Sequence, residues 1–178
     1  RTATDWPPLK AERAAASKVG DPYGWDFDPP GPSPAITAAW RSDLTVSGDF
    51  PDIVTGMGAW KDDYLYFGGE KNVFLLRGDP LQGGKFDQVT KGVGMAFGRA
   101  WCFTPDGRFW WISNEAEMWV ASVGSSGVDA RLVSRRISKR LRDAIDFSVS
   151  RPELLYDPRT RTIHVWLFPT GAGNTLVR

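Results

Sequence analysis

WCFTPDGRFWWISNEAEMWVA, residues 101–121, holds three short apolar runs separated by turn-forming letters. Trp101-Cys102-Phe103 reads as a strand, Thr104-Pro105-Asp106-Gly107 as a turn, Phe109-Trp110-Trp111-Ile112 as a second strand and Met118-Trp119-Val120-Ala121 as a third. The order Pro-Asp-Gly has a mechanism: proline presets φ at the first turn position, and glycine accepts a positive φ further on. Aromatic side chains fill pleated surfaces well, so runs of this kind predict an antiparallel meander.

The same design recurs on either side. DYLYFGGEKNVFLLR, residues 63–77, sets an aromatic run and the apolar run Val73–Leu76 around Gly68-Gly69. Leu155-Tyr156, the turn residues Asp157–Arg161 and the run Thr162–Phe168 form a third copy. The turn aspartates Asp63, Asp106 and Asp157 recur at intervals of about 40 to 50 residues, the period of propeller blades. A small meander cannot bury both its faces alone, and stacking blades supplies the missing cover. The expected fold is therefore all-β, with β-propeller-like repeats of antiparallel meanders in residues 41–178. Blade-like units fall near 44–90, 91–130 and 147–178. Three units make an incomplete propeller. The rival architecture is a plain β-sandwich, whose strands are also short and turn-separated.

Composition agrees. Among 178 residues are nine Trp, ten Phe and four Tyr, with 19 Gly and 13 Pro. The 22 Lys+Arg nearly balance 21 Asp+Glu, so neither a disordered tail nor a strongly basic binder is described. One Cys and one His allow no disulfide within the chain and no Cys/His zinc site. Apolar runs are too short to span a bilayer, and no membrane anchor is expected. The chain begins at Arg1 with neither an initiator Met nor a secretion signal, and reads as a fragment or trimmed product.

Residues 1–40 differ from the rest. Pro7-Pro8, Pro29-Pro30, Pro32 and Pro34 interrupt any ladder or helix, because proline lacks a donor and fixes φ. Lys10–Lys18 alone has helical propensity, over too short a length to stand by itself. This stretch is expected to be a Pro-rich N-terminal arm or connection, anchored by Trp6, Tyr23, Trp25 and Phe27.

SRRISKRLRDAID, residues 134–146, places Ile137, Leu141 and Ile145 four apart on one helical face. It predicts one short amphipathic helix, N-capped by Ser134 or Ser138. Arg135, Arg136, Lys139, Arg140 and Arg142 cover its other sides. Such cations can neutralise phosphates, but a net charge of +1 favours an ordinary solvated face. Three catalytic patterns fail. Gly92, Gly94 and Gly98 have the wrong spacing for a dinucleotide fingerprint and read as a bend between blades. Cys102 and His164 would make a nucleophile–base pair, but Cys102 lies in an apolar strand without a neighbouring cation. Asp26/Asp28 and Asp62/Asp63 raise glycoside hydrolysis or calcium binding, but Asp62 and Asp63 sit at a turn, where aspartate caps backbone amides, so turn chemistry is the better reading. No catalytic, metal or cofactor-binding residue is expected.

The order of these pieces resembles a known family. Ala16–Pro22 followed by Trp25-Asp26-Phe27, then Asp52–Met57, Asp62–Phe67, Val73–Pro80, Gly92–Gly94, Trp101 with Pro105–Gly107, Ile137–Leu141 and Tyr156–Arg159 carry the resemblance. It is to the tail nozzle, or tail tubular, proteins of short-tailed bacteriophages, and it extends from Ala16 to Phe168. That resemblance implies a structural virion protein of the phage tail or neck. Such proteins form a ring, commonly of about six copies, below the adaptor and portal and around the DNA exit channel. Family members are several times longer, with tube-forming segments beside the propeller.

The expectation is a non-enzymatic assembly scaffold, partnered by copies of itself and by other tail or adaptor proteins, with transient contact to packaged DNA. Its interface residues would be Trp25 and Phe27 on the arm and Arg135, Arg136 and Arg140 on the helix. The alternative is a carbohydrate-binding, receptor-recognising or carbohydrate-cleaving propeller. In that reading whichever of Trp110 and Trp111 faces away from the core is a sugar platform or contact.

Overall fold

A computed structural model describes residues 52–61, 64–78, 84–125 and 127–169, together with a short antiparallel pairing of β1 (Ala15–Ala16) with β2 (Trp40–Arg41). Trp25, Phe27 and nearly all of the Pro-rich stretch lie outside the described residues, as do Asp26, Asp28, Asp62 and Asp63.

The fold is mostly β, in antiparallel sheets with one short helix. The first large sheet is a four-stranded meander of β3 (Val54–Trp60), β4 (Tyr64–Gly69), β5 (Val73–Arg77) and β6 (Lys85–Thr90), paired in that order. The second is a meander of β7 (Trp101–Phe103), β8 (Phe109–Ile112), β9 (Met118–Gly124) and β10 (Gly127–Leu132). Helix α1 (Ser138–Ala144) follows, and then a two-stranded hairpin of β11 (Ser150–Asp157) and β12 (Thr162–Pro169).

Three apolar layers show how the sheets stack. Between the two meanders lie Tyr66, Val73 and Leu75 from the first and Phe109, Trp111 and Ala121 from the second, with Met95 from the connection. Tyr66 stacks on Phe109 with ring centroids 4.3 Å apart and planes 12° from parallel, slightly closer than the roughly 4.5–7 Å usual for aromatic pairs. The other side of the second meander holds Cys102 and Ile112 against Leu154 of the hairpin and Ile145 after the helix. Phe67, Phe74 and Leu76 form the far face of the first meander. The middle sheet is thus apolar on both faces, which explains why FWWI shows no polar alternation.

The Gly-rich connection between β6 and β7 is a buried hub rather than a simple bend. Met95, Ala96 and Ala100 have no exposed surface. The Met95 amide donates to Gly69 (2.8 Å), Ala96 to Ile112 (2.8 Å) and Gly98 to Thr55 (3.0 Å), while the Leu154 amide donates to Arg99 (3.1 Å). Ten residues of irregular chain thereby tie both meanders and the hairpin together, and its buried amides are satisfied across sheets. Gly94 is required by close approach: a Cβ there would collide with the backbone of Gly69 and Glu70. At Gly107 the reason is the turn itself, with φ of +83°.

The helix is shorter than the apolar spacing predicts. Residues 135–137 form a turn, and the position before the first helical residue is Ile137, with no side-chain cap. Ser134 is instead buried and its hydroxyl accepts the Met118 amide at 3.0 Å. Ser138 donates back to the Arg135 carbonyl at 3.3 Å. Tertiary demand at the end of β10 therefore takes the serine that local capping would have used. Ile145 is buried and Leu141 half-buried against the second apolar cluster, whereas Ile137 is exposed.

Candidate interaction surface

Because α1 docks through Leu141 and Ile145, its remaining sides are left to solvent. Arg135 and Arg136 project from the turn before it, and Lys139, Arg140 and Arg142 from the helix; all five are exposed. Among the described residues none of them is ion-paired. The structure thus brings Arg135, Arg136 and Arg140 onto one short exposed element, with the chemistry of a donor-only cationic patch.

A second surface had no signal in the sequence. A groove of about 500 Å³ opens beside the hairpin, lined by Phe97, Asn114, Phe147, Ser150 and Arg151. Phe97, at 59% exposed, stands out from the Gly-rich hub. The Arg151 guanidinium lies 5.1 Å from its ring centroid, a cation–π arrangement that holds both side chains at the rim. Asn114 is oriented by donating to the Glu70 carbonyl at 2.7 Å. These residues come from three distant stretches of chain, so no motif could have announced them.

Of the catalytic patterns, the Cys102–His164 pair lies within the described residues and is not assembled. Cys102 is buried in the second apolar cluster, and burial pushes its thiol up to about 11, far from a reactive thiolate. Ile163 and Val165 pack against that same cluster, so His164 between them faces the opposite side of the hairpin. Its Nε2 lies 3.1 Å from the Thr162 hydroxyl and 3.9 Å from Asp157. The turn carboxylates cap their turns. Asp106 bonds the Thr104 hydroxyl and pairs with Arg108 at 2.9 Å. Asp157 accepts from the Thr160 hydroxyl and the Arg159 amide, both at 2.8 Å. Those hydroxyl bonds, first of all, hold both carboxyls below the usual range.

Asp52 does more than sequence reasoning foresaw. Buried at 7% exposure, it accepts from the amides of Ile53, Lys71 and Asn72 and so organises the β4–β5 turn. Of the adjacent tryptophans, Trp111 is fully buried. Trp110 is half-buried in the second apolar cluster, its indole N–H donating to the Thr104 hydroxyl at 3.2 Å. Neither is an open platform; the exposed tryptophan among the described residues is Trp166, at 52%.

No family model, curated protein or solved structure matches this chain. Among the described residues no group of carboxylates, Cys and His could hold a metal ion, and no helix is long and apolar enough to cross a membrane.

Proposed function

We propose that this chain is a β-propeller-like section of a virion structural protein, a tail nozzle or neck component whose copies close into a ring around a DNA channel. The observation that carries the reading is serial stacking: a meander, a second meander and a hairpin follow one another in the chain and pack through apolar faces in the same order. Propeller blades are built by such repetition. The sequence resemblance described above supplies the biological setting. In this role the chain acts passively: stiff aromatic layers hold the inter-subunit surfaces in register so that a ring closes instead of growing as a filament. The exposed Arg135, Arg136 and Arg140 would face an acidic neighbour or passing DNA. Light scattering combined with negative-stain class averages tests this. Closed rings of about six or twelve copies support it, and a monomer in the native particle source refutes it. For the DNA contact, replacing the three arginines by alanine should lower the salt slope of DNA retention by about one unit for each phosphate no longer neutralised.

The groove favours a second reading, recognition of an acidic carbohydrate. Exposed Phe97 and Phe147 offer ring faces, and Arg151 a guanidinium for a carboxylate. Binding of an acidic glycan that disappears in both Phe97→Ala and Arg151→Ala would favour this reading over the scaffold, and no binding across a broad glycan panel would exclude it.

A further inference from the structure

A net charge of +1 conceals a segregation of charge along the chain. Residues 131–142 hold six cations, Arg131, Arg135, Arg136, Lys139, Arg140 and Arg142, and no Asp or Glu. The rest of the chain is therefore net −5. All six side chains are exposed, and among the described residues none is ion-paired. Of the two carboxylates that follow, Asp146 is spent within its own turn, accepting from the Ser148 amide at 2.9 Å and hydroxyl at 2.6 Å. Like charges crowded on one short element repel one another, and a polyanion relieves that repulsion.

The groove beside the hairpin begins just after this run. Phe147 follows the last residue of α1 by three positions, and it lines the groove with Phe97, Asn114 and Arg151. Both phenylalanines are exposed. The Arg151 guanidinium lies over the Phe97 ring, which orients the pair, and among the described residues it has no carboxylate partner. Asn114 gives one amide proton to the Glu70 carbonyl and keeps a second proton and its own carbonyl oxygen. Ring faces, a free guanidinium and an amide with both a donor and an acceptor match what an unstacked nucleotide offers: a π-face, a phosphate and a base edge. The volume of about 500 Å³ lies among those of pockets that take small ligands, roughly 300–1,000 Å³.

We infer that the groove and the cationic run beside it bind single-stranded nucleic acid, with bases stacked on Phe97 and Phe147 and phosphates met by Arg151 and the cations of residues 131–142. Charge complementarity selects this occupant. An acidic sugar held by Arg151 alone leaves six cations unanswered, whereas a strand carries a phosphate at every nucleotide and neutralises them as it crosses. A duplex would answer the cations but not the ring faces, because its bases are already stacked on one another, whereas those of a single strand are free to stack on aromatic side chains. The inference needs neither ring closure nor a DNA channel, and it is read on the single chain.

The test is fluorescence anisotropy of a labelled oligothymidylate titrated with the 178-residue chain at several salt concentrations, with a duplex of the same length as competitor. The single strand should bind more tightly than the duplex. Phe97→Ala and Phe147→Ala should each weaken binding by about 5- to 150-fold, the range of one lost base stack, with the salt slope and the circular dichroism unchanged. Phe97→Trp, which keeps a ring face, should retain the affinity. Replacing Arg135, Arg136 and Arg140 together by alanine should lower the slope by about 2, at roughly 0.7 for each phosphate, and keep the preference for the single strand. Absence of oligonucleotide binding at low salt overturns the inference, as does wild-type affinity in both alanine variants. Equal affinity for the duplex overturns it while leaving the contact of the arginines with passing DNA intact. A heparin oligosaccharide bound as tightly as the strand, with the same dependence on Phe97, overturns it in favour of the carbohydrate.

Discussion

Gly58 and Trp101 offer the sharpest test of how the first meander meets the second. Gly58 sits in edge strand β3, buried beneath the Trp101 indole of β7. A Cβ built at Gly58 would stand 2.9, 3.0 and 3.2 Å from three atoms of the ring, with nothing else that close. Its φ is not in the left-handed region, so Gly58→Ala is a steric probe without backbone strain. The ring cannot slide freely, since Phe103 and Phe109 lie 5.8 and 6.0 Å from it, centroid to centroid. Overpacking of this kind costs about 1–3 kcal/mol. Trp101→Ala alone should cost about 3 kcal/mol, the low end for a tryptophan because the ring is only half-buried. Once the ring is gone, the alanine at 58 has room, and alanine is better than glycine in a strand by about 0.5–1 kcal/mol. Gly58→Ala should therefore change sign between the two backgrounds, a coupling of about 2 kcal/mol, or roughly 30-fold in the folding equilibrium. Urea titrations followed by far-ultraviolet circular dichroism measure all four corners of the cycle. Equal cost of Gly58→Ala with and without Trp101 would refute the packing of β3 on β7.

Four further outcomes follow from the geometry. The Tyr66 hydroxyl is buried with no partner among the described residues, and burial pushes its phenol up to about 12; Tyr66→Phe should stabilise the fold by about 1 kcal/mol, and a lower melting temperature would show that a partner exists. Gly94→Ala meets backbone instead of a movable ring, so it should cost about 3 kcal/mol or more and lose the cooperative melting transition before Gly58→Ala does. Asp106, Asp146 and Asp157 have depressed pKa values, each chiefly from a neighbouring hydroxyl; their stabilisation is complete above the ordinary aspartate value of about 3.9 and fades as pH falls through the lowered values. Melting temperature against pH in Asp157→Asn should show a shallower acid limb than wild type, and an unchanged limb would disprove the link. Cys102 should resist alkylation in the folded protein near neutral pH and react once denaturant is added, because burial disfavours its thiolate; rapid labelling of native protein would contradict its placement.

Local signals in the chain were strong where they depended only on neighbouring residues. Phe109–Ile112, Val73–Leu76 and Thr162–Phe168 announce strands because β-branched and aromatic residues cluster between turn formers. The turn at Pro105-Asp106-Gly107 follows from the residues that tolerate its dihedrals. Ser134 shows the limit of such reasoning. Its place before an apolar helical face suits a cap, but its hydroxyl serves the Met118 amide across a connection, and a single-helix pattern contains no trace of that. The groove residues Phe97, Asn114 and Arg151 were likewise silent, since they become neighbours only when the hub and the hairpin meet.

What the sequence determined by itself was the mostly-β character and the placement of strands and turns. Tertiary structure decided which face each strand presents and to what. Trp110 and Trp111 illustrate the reason: in a middle sheet both faces are covered, so polar alternation disappears and only the stacked neighbours distinguish them.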